Sequence, residues 1–171
     1  LAPRALQADV RSLSFGAQFG IVLCPYSLVT YLVGDDDLSQ LVAGVRRALL
    51  PGGVLVVDAF VPRVAVGGRD FRQDYRRPYG GLTLVRSKRI TPLPGGFNRI
   101  ERRYEEVAAD GAIVDRVEVA ETIRPFAPEE LVAALERLGL RIRHFWWDYG
   151  ACVDADNAQY FTVEGSFDTV S

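Results

Sequence analysis

Two apolar segments of the chain each end in residues that could contact a bound small molecule. "FGIVLC" (19–24) runs into "PYS" (25–27), and "VLVV" (54–57) runs into Asp58. Ligands of open α/β sheets bind outside the carboxyl ends of the strands. If both segments are strands, the candidate substrate contacts there are Tyr26, Ser27 and Asp58, with Tyr26 facing the reacting molecule. The alternatives are that Tyr26 packs on the following helix and that Asp58 caps the next loop.

Two further titratable residues, His144 and Glu121, join Tyr26 as the candidate catalytic residues. His144 is the only histidine, so it alone has a side chain with an ordinary pKa near neutrality. Glu121 shares a strand face with Val117 and Val119, where a carboxylate could act as a general base or anchor an amine. The alternatives are a partly exposed histidine on an edge strand and an ion pair between Glu121 and a nearby arginine. One histidine without a cysteine cluster argues against a zinc site.

Arginine and tyrosine side chains are concentrated in and after the segment 61–81. Arginine forks match carboxylate, phosphate or sulfate groups, so the segment could clamp an anionic part of a substrate; alternatively it is a solvated surface loop. Strand alternation in 98–108 puts two more such side chains on one face. The arginines of the clamp are Arg69, Arg72, Arg76 and Arg77, and the other candidate substrate contacts are Tyr75, Tyr79, Arg102 and Tyr104.

The composition is that of an ordinary folded domain. The chain has 171 residues, of which 49% are hydrophobic and 25% charged, enough for one domain with a real core. The formal net charge of -2 argues against a general nucleic-acid binder, which needs a basic surface. All apolar runs are far shorter than the roughly 20 residues that span a membrane. We therefore expect neither a nucleic-acid nor a membrane partner.

The cysteine count and the ends of the sequence indicate the setting of the protein. Cys24 and Cys152 have no disulfide-framework spacing, and no apolar signal segment is visible. We therefore expect a cytoplasmic protein. Methionine is absent even from position 1, so we expect that residues preceding the sequence are missing from it.

Hydrophobic periodicity predicts an α/β core in the first third of the chain. Residues 21–24 and 54–60 are apolar on both faces, which is typical of buried parallel strands. Between them, 34–53 has apolar residues at helical spacing, acids at its start and Gly52-Gly53 at its end. Strand, helix and strand form a βαβ unit, which we expect to be right-handed and parallel.

The pattern then changes to antiparallel strands and a closing helix. Segment 61–81 is rich in proline and glycine and is predicted to be a loop or lid. The alternating pattern predicts strands at 82–90, 98–108 and 112–124, with a hairpin turn at 109–111. A helix is predicted at 125–140, followed by two closing antiparallel strands at 140–150 and 158–167.

In this order the segments resemble the C-terminal part of class I S-adenosylmethionine-dependent methyltransferases that act on small molecules. The matching pieces are "FGIVLCPYSLVTYL", "LLPGGVLVVDAF", "FAPEELVAALERLGL" and "YFTVEG". The resemblance implies a partial Rossmann-like α/β fold, a parallel sheet with an antiparallel closing hairpin, plus an antiparallel insertion similar to the substrate cover of sugar and amine N-methyltransferases. It implies one incomplete domain, with core 1–60, loop and insertion 61–124 and closing elements 125–171; the loop and insertion should roof the acceptor pocket.

The resemblance also implies a cofactor, S-adenosylmethionine, with S-adenosylhomocysteine as the product. Asp9 matches the family's acidic position that accepts from the adenine amino group, and the next N–H, of Val10, would donate to the ring. The backbone at the end of the first predicted strand, at Cys24 and Pro25, would face the methionine part of the cofactor, and Tyr31 is a further candidate cofactor contact. The alternatives are that Asp9 lies in a solvated turn and that Cys24 is a small buried hydrophobe.

This sequence departs from the family by lacking the glycine-rich turn that follows the first strand. Segment 6–15 resembles the family's third strand and the loop after it, so roughly 70–80 residues of a complete domain would be absent. We therefore expect a partner chain that carries the glycine loop, pairs with strand 21–24 and shares the cofactor site in an obligate hetero-complex. The alternative is that the glycine loop belongs to a portion of the same protein that was cleaved or omitted.

Three functions stay open at this point. The first is a small-molecule methyltransferase split over two chains. The second is a split enzyme that performs elimination or cyclisation in natural-product biosynthesis, such as aziridine formation by expulsion of sulfate. The third is a non-catalytic scaffold that stabilises a catalytic partner.

Overall fold

The computed structural model describes residues 5–63, 70–151 and 154–168. It divides the chain into two compact units, and each is described by itself. The first unit comprises Leu1–Pro62 and Pro125–Ser171, and the second comprises Arg63–Arg124.

The first unit contains a mixed four-stranded sheet and two helices. The elements are β1 (Phe19–Cys24), α1 (Asp37–Ala48), β2 (Leu49–Phe60), α2 (Pro128–Arg137), β7 (Leu140–Trp147) and β8 (Tyr160–Phe167). The sheet has the order β1-β2-β8-β7. β1 and β2 pair in parallel, whereas β8 runs antiparallel to both β2 and β7. This confirms the predicted α/β fold class, with a parallel pair closed by an antiparallel hairpin.

The predicted helix 34–53 is shorter in the structure, and its last residues belong to β2. The helix ends at Ala48 because Leu49 is extended and pairs with Phe19 on β1. The glycines therefore lie in a turn inside the strand segment and do not end the helix. Gly52 has φ +77, and a Cβ on Gly53 would lie 2.9 Å from the carbonyl oxygen of Leu50, so the turn needs glycine at both positions.

The hydrophobic core lies on one face of this sheet. Strand alternation puts Leu55, Val57 and Ala59 of β2 on the same face as Phe161 and Val163 of β8. All five are at most 1% exposed. They form one cluster with residues from both helices, which are Leu41, Val42 and Val45 of α1 and Leu131 and Leu135 of α2. Both helices therefore cover this face.

The opposite face carries apolar residues that no described element of the first unit covers to the same extent. Ile21 and Leu23 pair with Val54 and Val56 across β1 and β2. Ile21 is 61% exposed and Leu23 is 64% exposed, and Val54 and Val56 are half-buried. Because β1 is the first strand in the sheet order, its outer edge is also unpaired within the described residues. The sheet thus has an exposed apolar face at β1, and the outer edge of this strand has no partner among the described residues.

The closing helix, α2, begins and ends at the signals that the sequence offers. Pro128 is its first residue, and the Glu130 carboxylate accepts a 3.3 Å hydrogen bond from the Ala127 N–H. Gly139 has φ +87 just beyond the helix end, the conformation that commonly ends a helix. The predicted helix 125–140 is confirmed with narrower limits.

The second unit is a four-stranded antiparallel sheet of order β3-β4-β5-β6. Its strands are β3 (Arg72–Tyr79), β4 (Leu82–Pro92), β5 (Asn98–Val107) and β6 (Ile113–Ile123). The predicted strands 82–90, 98–108 and 112–124 are confirmed. So is their turn, where the Gly111 N–H donates to the Ala108 carbonyl. β3 corrects the prediction of a loop throughout 61–81, because pairing with β4 extends this polar segment into a strand.

The expectation of a family-like third strand in 6–15 is wrong for the described residues 5–18. They contain no strand, and Val10–Ser12 form a short 3-10 turn capped by the Asp9 side chain. A strand needs a neighbour to accept its N–H bonds. Among the described residues no strand pairs with this segment, and the Asp9 side chain accepts from the Arg11 N–H.

Candidate cofactor and substrate site

The loop after β1 begins with two left-handed residues. Tyr26 has φ 59 and Ser27 has φ 56, a conformation that costs a residue with a side chain about 1–3 kcal/mol. Tyr26 nevertheless keeps 87% of its surface exposed, whereas Ser27 is only 6% exposed. The backbone is therefore fixed at this point while the Tyr26 ring stays accessible.

The carboxylate of Asp58, at the end of β2, holds this turn. Its Oδ2 accepts a 3.1 Å hydrogen bond from the Tyr26 N–H, and its Oδ1 accepts a 2.6 Å hydrogen bond from the Ser27 N–H. In return the Ser27 hydroxyl accepts from the Phe60 N–H at 2.9 Å. Asp58 is 3% exposed, so these bonds replace the water that its charge would otherwise need. Asp58 thus caps a loop, the one after the neighbouring strand β1.

A second left-handed pair, Asp148 and Tyr149, completes the environment of Asp58. These residues have φ 42 and φ 57, and the Tyr149 hydroxyl donates a 2.7 Å hydrogen bond to Asp58 Oδ2. Partial burial and this hydrogen bond to the carboxylate raise the pKa of Tyr149. Tyr149 therefore stays protonated as a donor at physiological pH.

The Asp148 side chain anchors this second turn to the start of β8. Its Oδ1 accepts from the backbone N–H groups of Gln159 at 2.9 Å and of Tyr160 at 2.7 Å. The rings of Tyr149 and Tyr160 stack with their centroids 6.1 Å apart. The predicted strand 140–150 accordingly stops at Trp147, because the next three residues form this turn.

Cys24 is a buried thiol. It is 5% exposed, and burial, with a smaller effect of the Asp58 charge, raises its pKa to about 11. A thiol with such a pKa is protonated at neutral pH and is a poor nucleophile. The structure therefore agrees with the interpretation of Cys24 as a small hydrophobe in the core, and its predicted contact with a cofactor stays a prediction.

A cleft of about 630 Å³ brings together three of the predicted cofactor contacts, Asp9, Val10 and Tyr31. Arg11 and Asp37 also line it. The Arg11 guanidinium donates to both Asp9 oxygens at 2.7–3.2 Å, and these bonds hold the pKa of Asp9 at about 2. Arg11 also reaches Asp37 at 3.3 Å. Asp9 is thus ionised and oriented by Arg11 in an open cleft.

His144 lies on the edge strand β7, as the structural alternative predicted. Its Nδ1 lies 3.2 Å from Glu164 Oε1, and its ring stacks on Trp146. One strand, β8, lies between β7 and the strand β2 that carries Asp58. Its assignment as a catalytic residue stays a prediction that no contact to Tyr26 or Asp58 supports.

The candidates of the second unit are engaged in ion pairs and ring contacts within that unit. Glu121 pairs with Arg102, as the alternative to a free carboxylate predicted. The Arg86 guanidinium lies 4.4 Å from the Tyr75 ring centroid and opposite Tyr104 in the register. Tyr79 is 53% exposed. Their substrate and catalytic roles stay predictions.

The structure places three members of the predicted arginine clamp, Arg72, Arg76 and Arg77, on the strand β3, and their anion-binding role stays a prediction. Arg76 and Arg77 are consecutive in β3 and pair with consecutive residues of β4, so they point to opposite faces. Arg77 lies over the Tyr75 ring at 5.5 Å. Arg69 lies outside the described residues.

Tyr149 and Asp148 are the site residues that sequence reasoning missed. The signal available for them was the Asp-Tyr-Gly sequence at the end of an aromatic strand, which is typical of a turn. The contact between Tyr149 and Asp58 spans 91 positions of sequence, so local pattern could not identify it.

No group of three or more histidine, cysteine or acidic residues within the described ranges is arranged to hold a metal ion. Nor is any helix of that part of the chain both long and apolar enough to cross a membrane.

Comparison with known proteins gives relatives among sugar N,N-dimethyltransferases, although no family model matches the chain. A dTDP-4-amino-2,3,4,6-tetradeoxy-D-glucose N,N-dimethyltransferase of Saccharopolyspora spinosa is 28% identical over 142 residues, 80% of this chain and 53% of that protein. A dTDP-3-amino-3,4,6-trideoxy-alpha-D-glucopyranose N,N-dimethyltransferase of Streptomyces venezuelae is 30% identical over 139 residues, 81% of this chain and 57% of that protein. The chain spans about half the length of the curated relatives it matches.

Solved structures decide the fold. An S-adenosylmethionine-dependent methyltransferase from Clostridium acetobutylicum superposes with a TM-score of 0.76 at 17% identity, over 98% of this chain and 65% of that one. The fold is that of class I methyltransferases. An amino pentose methyltransferase from Micromonospora echinaspora, involved in calicheamicin biosynthesis and solved with S-adenosylmethionine, matches with a TM-score of 0.68 at 25% identity. That match covers 93% of this chain and 63% of the other.

Proposed function

We propose that this chain is the C-terminal portion of an S-adenosylmethionine-dependent N-methyltransferase that acts on a nucleotide-linked amino sugar in natural-product biosynthesis. The observation that carries the proposal is the tethered Tyr26–Ser27 turn at the carboxyl ends of two parallel strands. This is the edge of an open α/β sheet where ligands bind. The relatives, which are amino-sugar N,N-dimethyltransferases by name, support the choice of substrate class.

The cleft at Asp9 fits the adenosine part of the cofactor. Asp9 accepts from three nitrogens of Arg11, but the Arg11 side chain is 46% exposed, so an adenine amino group can replace one of these donors. The mixed polar and apolar lining suits a purine, with the Tyr31 and Leu32 side chains as its apolar part and the Asp9 carboxylate as its polar part. Asp9, Val10 and Tyr31 would hold this group.

Methyl transfer requires little acid–base catalysis from the residues of this chain. S-adenosylmethionine supplies an already activated methyl group, so the protein mainly orients the acceptor. Asp58 accepts three hydrogen bonds, and a carboxylate has about four acceptor positions. Asp58 therefore has little capacity left for a substrate proton, and its role is to hold the loop. The accessible Tyr26 ring is left to contact the acceptor.

The open edge of β1 supports the further proposal that a partner chain completes the sheet. A strand that exposes Ile21 and Leu23 at more than half of their surface is an aggregation site unless another strand covers it. We propose that a polypeptide with a strand, a glycine loop and a helix pairs with β1 and covers the Val54–Val56 face. The cofactor site is then shared between the two chains.

The test is to co-produce this chain with a polypeptide that carries the strand, glycine loop and helix of a class I methyltransferase, and to measure methyl transfer. Radiolabelled S-adenosylmethionine should transfer its methyl group to a dTDP-linked amino-deoxy sugar, and calorimetry should detect cofactor binding by the complex but not by either chain alone. Cofactor binding without a methylated product would contradict the methyltransferase proposal. Tight binding by the isolated chain would contradict the shared site.

A further inference from the structure

Four residues other than glycine have positive φ in the described part of the chain, and three of them donate hydrogen bonds to one carboxylate. The four are Tyr26, Ser27, Asp148 and Tyr149. Three of them donate to Asp58, Tyr26 and Ser27 through backbone N–H groups and Tyr149 through its hydroxyl. Strained backbone persists only where the surrounding structure fixes it, and it is concentrated at functional sites.

Burial does not explain a tyrosine at position 26. Glycine and asparagine tolerate the left-handed region best, and a large ring compensates for strain only when it packs in the core. Tyr26 is 87% exposed, so its ring gains little from packing within the described protein. The strain therefore serves to present the ring outward.

Hydrogen bonds link the start of β8 to this presented ring. The N–H groups of Gln159 and Tyr160 fix the Asp148 side chain, and the adjacent Tyr149 hydroxyl reaches Asp58 Oδ2. The same oxygen accepts from the Tyr26 N–H. Movement of the turn at 148–149 would thus change the acceptor that holds the turn at 26–27.

We propose that Asp58 and Tyr149 are positioning residues, which hold the left-handed Tyr26–Ser27 turn so that the Tyr26 ring orients the substrate. The kinetic part of this inference rests on the proposed function, because it needs a reaction in which acceptor orientation limits the rate. The structural part does not, because it concerns only the order of the turn.

The structural part is tested by hydrogen exchange in the purified protein, which needs neither substrate nor cofactor. Tyr149→Phe removes one hydroxyl and keeps the carboxylate, and Asp58→Asn removes one of the two acceptor oxygens. Both variants should exchange the Tyr26 and Ser27 amide protons at least about tenfold faster than the wild type, because the turn opens locally. A control, Val45→Ala on α1, should lower the melting temperature without this local change.

The kinetic part is tested by turnover. Tyr149→Phe should lower kcat by about tenfold, the scale of losing a hydrogen bond to a charged group, while the cofactor Kd stays within about twofold. In a Tyr26→Ala background the same change should have no further effect on kcat, because no ring remains to be positioned. A purely structural role would instead give equal losses in both backgrounds.

The outcomes separate this inference from the proposed function. Unchanged amide exchange at Tyr26 and Ser27 in both variants overturns it, whether or not the complex transfers methyl groups. Faster exchange with unchanged kcat overturns the positioning role in turnover. If the wild-type complex transfers no methyl group, the proposed function fails while amide exchange still decides the hydrogen-bonded turn. If Asp58→Asn does not fold, Tyr149→Phe alone decides.

Discussion

Ser27, in the loop after β1, donates a hydrogen bond to Asp58, at the end of the parallel neighbour β2. The Ser27 N–H donates to Asp58 at 2.6 Å, and the Ser27 hydroxyl accepts from the Phe60 N–H at 2.9 Å. The Asp58 side chain thus satisfies a backbone N–H of the loop after β1, and the Ser27 side chain satisfies a backbone N–H at the end of β2. This reciprocity fixes the relative position of the two loops that the proposed substrate site needs.

Replacement of Ser27 tests this reciprocity. Ser27→Ala leaves the Phe60 N–H without its acceptor in a partly buried place, which should lower the free energy of unfolding by about 1–3 kcal/mol. Ser27→Gly loses the same hydroxyl but relieves the left-handed strain, so its loss should be smaller. Urea unfolding monitored by tryptophan fluorescence measures both. A larger loss of unfolding free energy for the glycine variant would contradict backbone strain at Ser27.

Thr162 and Thr30 form a matched pair for a stability test. Both are at most 4% exposed, but the Thr30 hydroxyl donates to the Ser27 carbonyl at 2.8 Å, whereas Thr162 Oγ1 has no partner among the described residues. Thr30→Val should therefore destabilise the protein by about 1 kcal/mol. Thr162→Val should be neutral or stabilising, because it removes a buried hydroxyl that has no hydrogen bond. Calorimetric melting of the two variants side by side decides, and equal losses would contradict this account.

Asp9 should titrate with a pKa of about 2, well below its ordinary 3.8. Hydrogen bonds from Arg11 stabilise the ionised form, so the contribution of this pair to stability is complete above pH 3.8 and is lost as the pH falls towards 2. Carbon-detected NMR of the carboxyl group measures the midpoint. Arg11→Ala should move it up towards 3.8, and a control such as Arg141→Ala should not. An unchanged midpoint in Arg11→Ala would contradict the contact.

Cys24 should resist thiol reagents while the protein is folded. With a pKa of about 11, roughly one thiol in a thousand is ionised at pH 8, and the side chain is 5% exposed. In a Cys152→Ser background, modification by a disulfide reagent should proceed only as fast as the protein unfolds. Full labelling within minutes in native buffer, matching the rate in urea, would show that Cys24 is accessible.

A charge on the outer face of β1 should block completion of the sheet. Leu23 is 64% exposed in this chain, so Leu23→Lys costs little here, but the lysine would be buried if another chain covers β1. Complex formation should weaken at least about tenfold, since burying an unpaired charge is costly. The control Val114→Lys changes a residue that is 61% exposed in the second unit. Size-exclusion and titration experiments compare the two, and equal complex formation would refute coverage of β1.

Local sequence signals were sufficient for most elements. The helical spacing of 34–53 and the alternation of 82–124 predicted α1, β4, β5 and β6, because hydrophobic periodicity reflects which face each element buries. Proline, glutamate and glycine at their proper positions predicted α2. The end of α1 was misplaced because pairing of Leu49 with Phe19, a contact distant in sequence, prevailed over the local glycine signal.

The candidate site, too, was predicted from the sequence only in part. The sequence by itself indicated Tyr26, Ser27 and Asp58, because residues that follow apolar strands lie at the carboxyl edge of a sheet. Only the tertiary structure showed that Asp58 accepts from Tyr26, Ser27 and Tyr149 and that Arg11 orients Asp9. Strand order and turn geometry create those contacts between residues as far as 91 positions apart. Which donor binds to which buried acceptor is therefore decided only when the chain folds.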